Sequence, residues 1–348
     1  MQKVAGSSPV RSTINRSPMI SFKEGIKAFM LAGALSVGCS DGTKAEIGKE
    51  TPQKIVRSKE HFSVRAEACS FDNNPDFFQK FPNGDFSEKE RKKRTEVINK
   101  NVVIFHDVGV DFYTVQKGDT IEKIRDILSN MPKYSYLKSQ KEKLKSFNIP
   151  AREIKAGMLL PIPLENEDRH ISDEQFVAYA DQALHEMLES EEYKGYKKEI
   201  EKMIEKAGSE EGVIQFMLAI AKQESGGKPI GQFEMHRWEK SRQKFSFSIF
   251  HVLMEGPGLK GRQNLDLTEG QLYHPKNACK LFLAFMIEKS RERNKEACDF
   301  FPLQEHTSDI ASFYNGKNWK GNNPDYVKNI TRYFIEAGGL FDKLKEHP

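Results

Sequence analysis

A mainly α fold of the α+β class, led by a small βααβ module, is what the 348-residue sequence predicts. Two observations carry this. Apolar residues recur at helical spacing over 173–188 and 213–224 and run unbroken over 281–287, whereas over 112–163 two short strand-like runs flank a periodic helix that begins at a Gly-Asp-Thr turn. The length suffices for two or three domains with their own cores.

The net charge is +4, and the first 39 residues, with five basic side chains and one acid, account for all of it. The remainder is neutral, so no nucleic-acid partner read by charge is expected. Residues 28–37 form an apolar stretch too short to span a bilayer, preceded by Lys23 and Lys27 and closed by Ser36-Val37-Gly38-Cys39. That is the pattern of a signal peptide over 1–39, with Met19 as an alternative start, and it predicts export to the cell envelope or beyond. Residues 35–39 also resemble a lipobox, except that Ser36 stands where leucine is usual. Plain secretion and a lipid anchor at Cys39 both stay open, and the signal peptide or that anchor would be the chain's only link to a membrane.

Residues 40–58 read as a solvated linker. Over 59–110 aromatic and turn residues precede a charged run, 88–100, expected as a solvated helix face; the segment receives no function. Cys279 and Cys298 lie nineteen positions apart, about 28 Å along a straight helix, so either the helix breaks or they stay unpaired. Neither Cys-x-x-Cys nor His-Glu-x-x-His occurs, and there is no Gly-rich phosphate loop or Gly-x-Ser-x-Gly elbow. No metal and no cofactor is expected.

In the module at 111–164, Phe112-Tyr113-Thr114-Val115 alternates as a strand, Gly118-Asp119-Thr120 supplies a turn and helix cap, and Ile121, Ile124, Ile127 and Leu128 share a helix face. Leu159 to Pro163 form the second strand after a turn at Gly157. Tyr113, Val115, Gly118, Asp119, Thr120, Ile121, Asn148, Ile154, Gly157, Leu160 and Ile162 together resemble a LysM module. The stretch 129–143 is longer and richer in lysine than that family's pattern. The resemblance implies binding of N-acetylglucosamine-containing glycans, peptidoglycan first and chitin-like oligomers second. Its groove would lie near Gly118, Asp119, Thr120 and Ile121 and near Asn148 and Ile149, with the first three residues serving mainly as turn and cap.

The region 171–348 opens with a helix at 173–188 that packs through Phe176, Ala180, Ala183 and Leu184. In the next helix Val213, Met217, Ile220 and Glu224 share one face, so a carboxylate finishes an apolar stripe. Gly226 and Gly227 end that helix and Pro229 prevents its resumption. Glu224 would sit in the last turn, where the helix dipole and apolar neighbours favour a neutral, proton-bearing carboxyl suited to a general acid. A solvated glutamate near a helix end is the plainer reading of the spacing alone. Residues 245–250 and the turn at 254–258 suggest a cleft wall, and 281–287 a buried central helix rather than a membrane span.

The stretch from Ala219 to Gly227 resembles the catalytic Glu-Ser segment of lysozyme-like soluble lytic transglycosylases. His274-Pro275 with Asn277, then Ala311-Ser312-Phe313-Tyr314-Asn315-Gly316, then Tyr326 to Ile330, follow in that family's order. The resemblance spans 210–337 and implies a lysozyme-like catalytic domain cutting the MurNAc-β-1,4-GlcNAc bond. Glu224 would be the acid and base, with Ser225, Tyr314 and Asn315 at the substrate; a core tyrosine is the other reading of Tyr314. The family's Gly-Leu-Met-Gln segment is replaced, after a short turn, by Gly231-Gln232-Phe233-Glu234-Met235-His236-Arg237-Trp238. That octet resembles the segment following Glu-Ser-Gly-Gly in an N-acetylmuramidase family. It makes Glu234 a candidate second carboxylate or a support for Arg237 or His236, His236 a substrate-binding candidate, and Trp238 either a sugar platform or core. Three outcomes follow: a lytic transglycosylase tethered by its module, a hydrolytic muramidase, or a non-catalytic wall-binding scaffold.

Overall fold

Why a lysine-rich chain holds a buried carboxylate depends on the elements around it. The computed structural model describes residues 74–140, 149–165, 170–226, 230–231 and 236–346. The signal segment with Cys39, the linker, Cys69, Asn148, Gly227 and Glu234 lie outside the described residues.

The first described layer is a four-stranded antiparallel sheet of β1 (Thr95–Asn99), β2 (Val102–His106), β3 (Asp111–Thr114) and β4 (Leu159–Pro161), in that order. Register pairs Tyr113 with Leu160 and Ile104 with Tyr113. Of the predicted βααβ module, both strands and the first helix, α2 (Ile121–Ser129), are present; the described residues between α2 and β4 hold no second α-helix, and 141–148 lie outside them. After α2, Pro132–Lys138 takes 3₁₀ turns. The charged run at 88–100 is corrected in its second half. Its first part is the short helix α1 (Glu88–Lys93), which buries nothing, but Thr95–Asn99 is a strand extending the module's sheet. This strand is mostly exposed, and so carries no buried alternation to mark it in sequence.

Residues 74–110 are also fastened to the helical part. Gln271, fully buried, donates its Nε2 to carbonyls of Asp76, Phe77 and Gln79, the last at 2.6 Å. Asp107 accepts from Thr268 Oγ1 (2.8 Å) and from the Gly270 N–H (3.0 Å). A Cβ on Gly270 would lie 2.3 Å from the Val108 carbonyl oxygen and 2.7 Å from Asp107 Cγ. Gly270→Ala is therefore expected to destabilise by about 3 kcal/mol, since backbone must move to admit it. Gly321→Ala, which meets nothing within 4 Å, should be near neutral in the same denaturation experiment.

The helical layer consists of α3 (Asp173–Glu189), α4 (Lys194–Ala207), α5 (Glu210–Glu224), α6 (Gly256–Asn264), α7 (Pro275–Glu292), α8 (Leu303–Asn315), α9 (Trp319–Asn322) and α10 (Tyr326–Glu346). Each start has a local cause. Ser172 and Gln175 form a capping box for α3, Ser209 Oγ accepts from the Gly212 N–H at α5, and Pro275 opens α7 behind the His274 cap. Helix α7 is buried along Leu281 to Ile287, as its composition predicts. It ends at Glu292, and Cys279 and Cys298 are both free. No described helix is long and apolar enough to cross a membrane.

A second, three-stranded antiparallel sheet of β7 (His236–Glu239), β8 (Lys244–Phe247) and β9 (Val252–Leu253) stands beside the end of α5. A two-stranded pair, β5 (His170–Ile171) with β6 (Ile230–Gly231), closes the far side of the chain's return. Residues 245–250 are corrected from cleft wall to core: Phe245, Phe247 and Phe250 are all buried. Phe250 stacks on Phe282 with ring centroids 4.3 Å apart. The described molecule is thus mainly α with small antiparallel sheets.

Candidate active site

Glu224 ends α5 where the sequence pattern places it, with Ser225 capping the helix and Gly226 in the left-handed region (φ 65°). The turns before it bury Val213, Met217 and Ile220, which carries Glu224 inward on the same face. Its side chain is only 6% exposed. Burial of a carboxylate at this depth demands partners, and three side chains converge on it from elsewhere in the chain. The Tyr326 hydroxyl, at the start of α10, donates to Oε1 at 3.1 Å. Arg237 Nη2, on β7, stands 3.5 Å from Oε2, and His251 Nδ1, in the turn before β9, stands 3.6 Å from the same oxygen. The last two distances exceed a hydrogen bond.

The tyrosines differ in use. Burial, then the charge of Glu224, push the Tyr326 phenol well above its ordinary range, so it remains a proton donor to the carboxyl. Asn315 lies beside that hydroxyl. Tyr314 is also held neutral, by burial and then Glu224, but its hydroxyl donates to the Phe250 carbonyl. Its ring packs against Phe285 and Phe282. Tyr314 is partly buried and packs against the core, while Tyr326, quoted in sequence only as part of a motif, does the orienting. Ser225 is 5% exposed, and its described role is the helix cap.

His236 is corrected from substrate contact to core. It is 6% exposed, and its Nδ1 shares a 2.6 Å hydrogen bond with the Tyr273 hydroxyl. Burial, then nearby His251, push its pKa down to about 3. The folded chain thus holds His236 neutral, whereas an unfolded chain protonates it near pH 6.5. Its contribution to stability is full above about pH 6.5 and is lost as pH falls towards 3, because the unfolded state binds the extra proton. Thermal melts from pH 7 to pH 4 should show a smaller loss for His236→Phe than for the unchanged chain. Trp238 is likewise core rather than sugar platform: its Nε1 donates to Glu153 Oε2 at 3.0 Å, joining β7 to the 111–164 segment.

A groove of about 790 Å³ is lined by Arg237, Glu239, Lys240, Ser241 and Asn322 together with the Trp238–Glu153 pair, and Arg237 links it to Glu224. Glu239 Oε1 accepts from Arg237 Nε (2.8 Å) and from Ser246 Oγ (2.9 Å). One guanidinium thus bridges two carboxylates. Burial works against its charge, but Glu224 and Glu239 outweigh this and raise the Arg237 pKa above its ordinary value. Sequence reasoning missed Arg237 and His251 as partners of Glu224, because strand and turn positions 13 and 27 residues downstream carry no local mark of that proximity.

At the module, Thr120 Oγ1 caps α2 by accepting from the Lys123 N–H (3.2 Å), and Gly118 takes φ 84°. Asp119 Oδ2 accepts from the Tyr113 hydroxyl (2.8 Å) and the Gln116 N–H (2.7 Å), while Oδ1 pairs with Lys123. Burial raises the cost of its charge, yet Lys123 and these donors hold the carboxyl below its ordinary range. The turn-and-cap role expected of these three residues is what the geometry gives. Ile121 and Ile149 pack into the core. No group of three or more His, Cys, Asp or Glu side chains fit to hold a metal occurs among the described residues. In comparisons with protein-family models, curated proteins and solved structures, nothing matches this chain.

Proposed function

We propose that the chain is an exported peptidoglycan-cleaving enzyme, a lytic transglycosylase in which a lysozyme-like helical part cuts the MurNAc-β-1,4-GlcNAc bond and a LysM-like segment at 111–164 holds the glycan. The observation that carries this is Glu224: a carboxylate nearly removed from water, oriented by a neutral phenol and faced at 3.5 Å by Arg237, which lines an open groove. Such a group can deliver a proton to a glycosidic oxygen and take one back from the substrate's own 6-hydroxyl, closing a 1,6-anhydro ring. Tethering by the module raises the local concentration of a weakly held polymer.

Hydrolysis is the second reading, and one observation favours it: Glu239 supplies a second carboxylate in the groove, linked to Glu224 through Arg237. The first test is release of soluble fragments from dye-labelled insoluble peptidoglycan by the full chain. Steady release is the expected result. Binding to the wall without release would leave a scaffold and sink the enzymatic reading.

A further inference from the structure

We infer that Arg237 is the specificity-determining residue of this groove, and that it selects glycan strands bearing a carboxylate over neutral ones. The inference rests on the glycan-cleaving reading above and deepens it. An arginine has five N–H donors in a planar fork. In Arg237 only the Nε edge is committed by a hydrogen bond, to Glu239 at 2.8 Å. Nη2 stands 3.5 Å from Glu224, too far for a hydrogen bond, and the side chain remains 48% exposed. The Nη1–Nη2 end is therefore presented to the groove with its donors available, in the geometry that binds a carboxylate through two parallel bonds.

The surroundings favour the same ligand. Lys240, on the adjoining turn, lines the groove and has no anionic partner among the described residues. Of the acids lining the groove, Glu239 is engaged by Arg237 and Ser246 and Glu153 by Trp238. An N-acetylglucosamine polymer offers no carboxylate to this fork, whereas a muramyl sugar carries one on its lactyl ether or, where a peptide is joined there as an amide, on that peptide.

The test is equilibrium binding of the full chain to three soluble probes by calorimetry: a GlcNAc–MurNAc oligomer with free lactyl carboxylates, the same oligomer with these converted to amides, and a chitooligosaccharide of equal length. The unchanged chain should bind the acid at least about tenfold more tightly than the amide, about the size of one good charged contact. Arg237→Gln should erase that preference, weakening the acid more than the amide or the chitooligosaccharide; Arg237→Lys, which keeps the charge but not the fork, should retain part of it. Equal binding of acid and amide by the unchanged chain overturns the inference, as does a preference that survives in Arg237→Gln. Because the first comparison needs no variant, misfolding of a substituted chain does not shield it. Cutting without acid preference would refute this inference and leave the proposed activity standing; acid preference without cutting would do the reverse.

Discussion

Glu224→Gln is expected to lower fragment release from peptidoglycan about a thousandfold while leaving the fold and wall binding intact. The substitution removes the transferable proton but keeps the side chain's shape, and a general acid commonly contributes a factor of this order. The new amide oxygen can still accept from the Tyr326 hydroxyl, so the oriented geometry at the end of α5 has no reason to collapse. What changes is charge: Arg237 and His251 lose the carboxylate they face. Arg237 keeps Glu239, so the cost in stability should stay near 1 kcal/mol. A melting temperature within a few degrees of the unchanged chain, beside lost activity, separates chemistry from folding. Full activity would remove Glu224 from the mechanism.

Phe282→Ala should be the most damaging single change to the scaffold. Phe282 is fully buried on α7, stacked on Phe250 at 4.3 Å and near Phe216 (5.8 Å) and Tyr314 (6.4 Å). Truncating it removes a large apolar side chain and leaves a hole that rigid helices cannot close, at a cost of about 3–5 kcal/mol. The melting temperature should fall by about 10 °C. The damage should also reach the site, because Phe250 supplies the carbonyl that holds the Tyr314 hydroxyl, and Tyr314 lies within reach of the Glu224 charge. Activity at 25 °C is expected to drop even where most of the chain is folded. Ile335→Ala, at a position 65% exposed, should change stability by less than about 0.5 kcal/mol.

Sequence made the helix ending in Glu224 legible because a 3.6-residue period and a double-glycine stop are local signals. It also marked Gly118, Asp119 and Thr120 as turn and cap, since that chemistry is contained within a few neighbours. The partners of Glu224 were hidden for the opposite reason. Arg237 sits on an exposed strand position, and His251 takes a positive φ of 46° in a turn that no spacing announces. His236 looked available because it stands beside charged residues, yet strand alternation turns it inward, towards Tyr273, while Arg237 faces out. The first strand of the sheet, Thr95–Asn99, was lost in a charged run because an exposed edge strand needs no apolar face.

The most direct test of the central claim is the mass of the new chain ends when purified peptidoglycan is digested by the full chain. Cutting by Glu224 without an added water predicts fragments that end in 1,6-anhydro-MurNAc and that vanish with Glu224→Gln. MurNAc ends heavier by one water, or no soluble fragments at all while the chain stays bound to the wall, would contradict it.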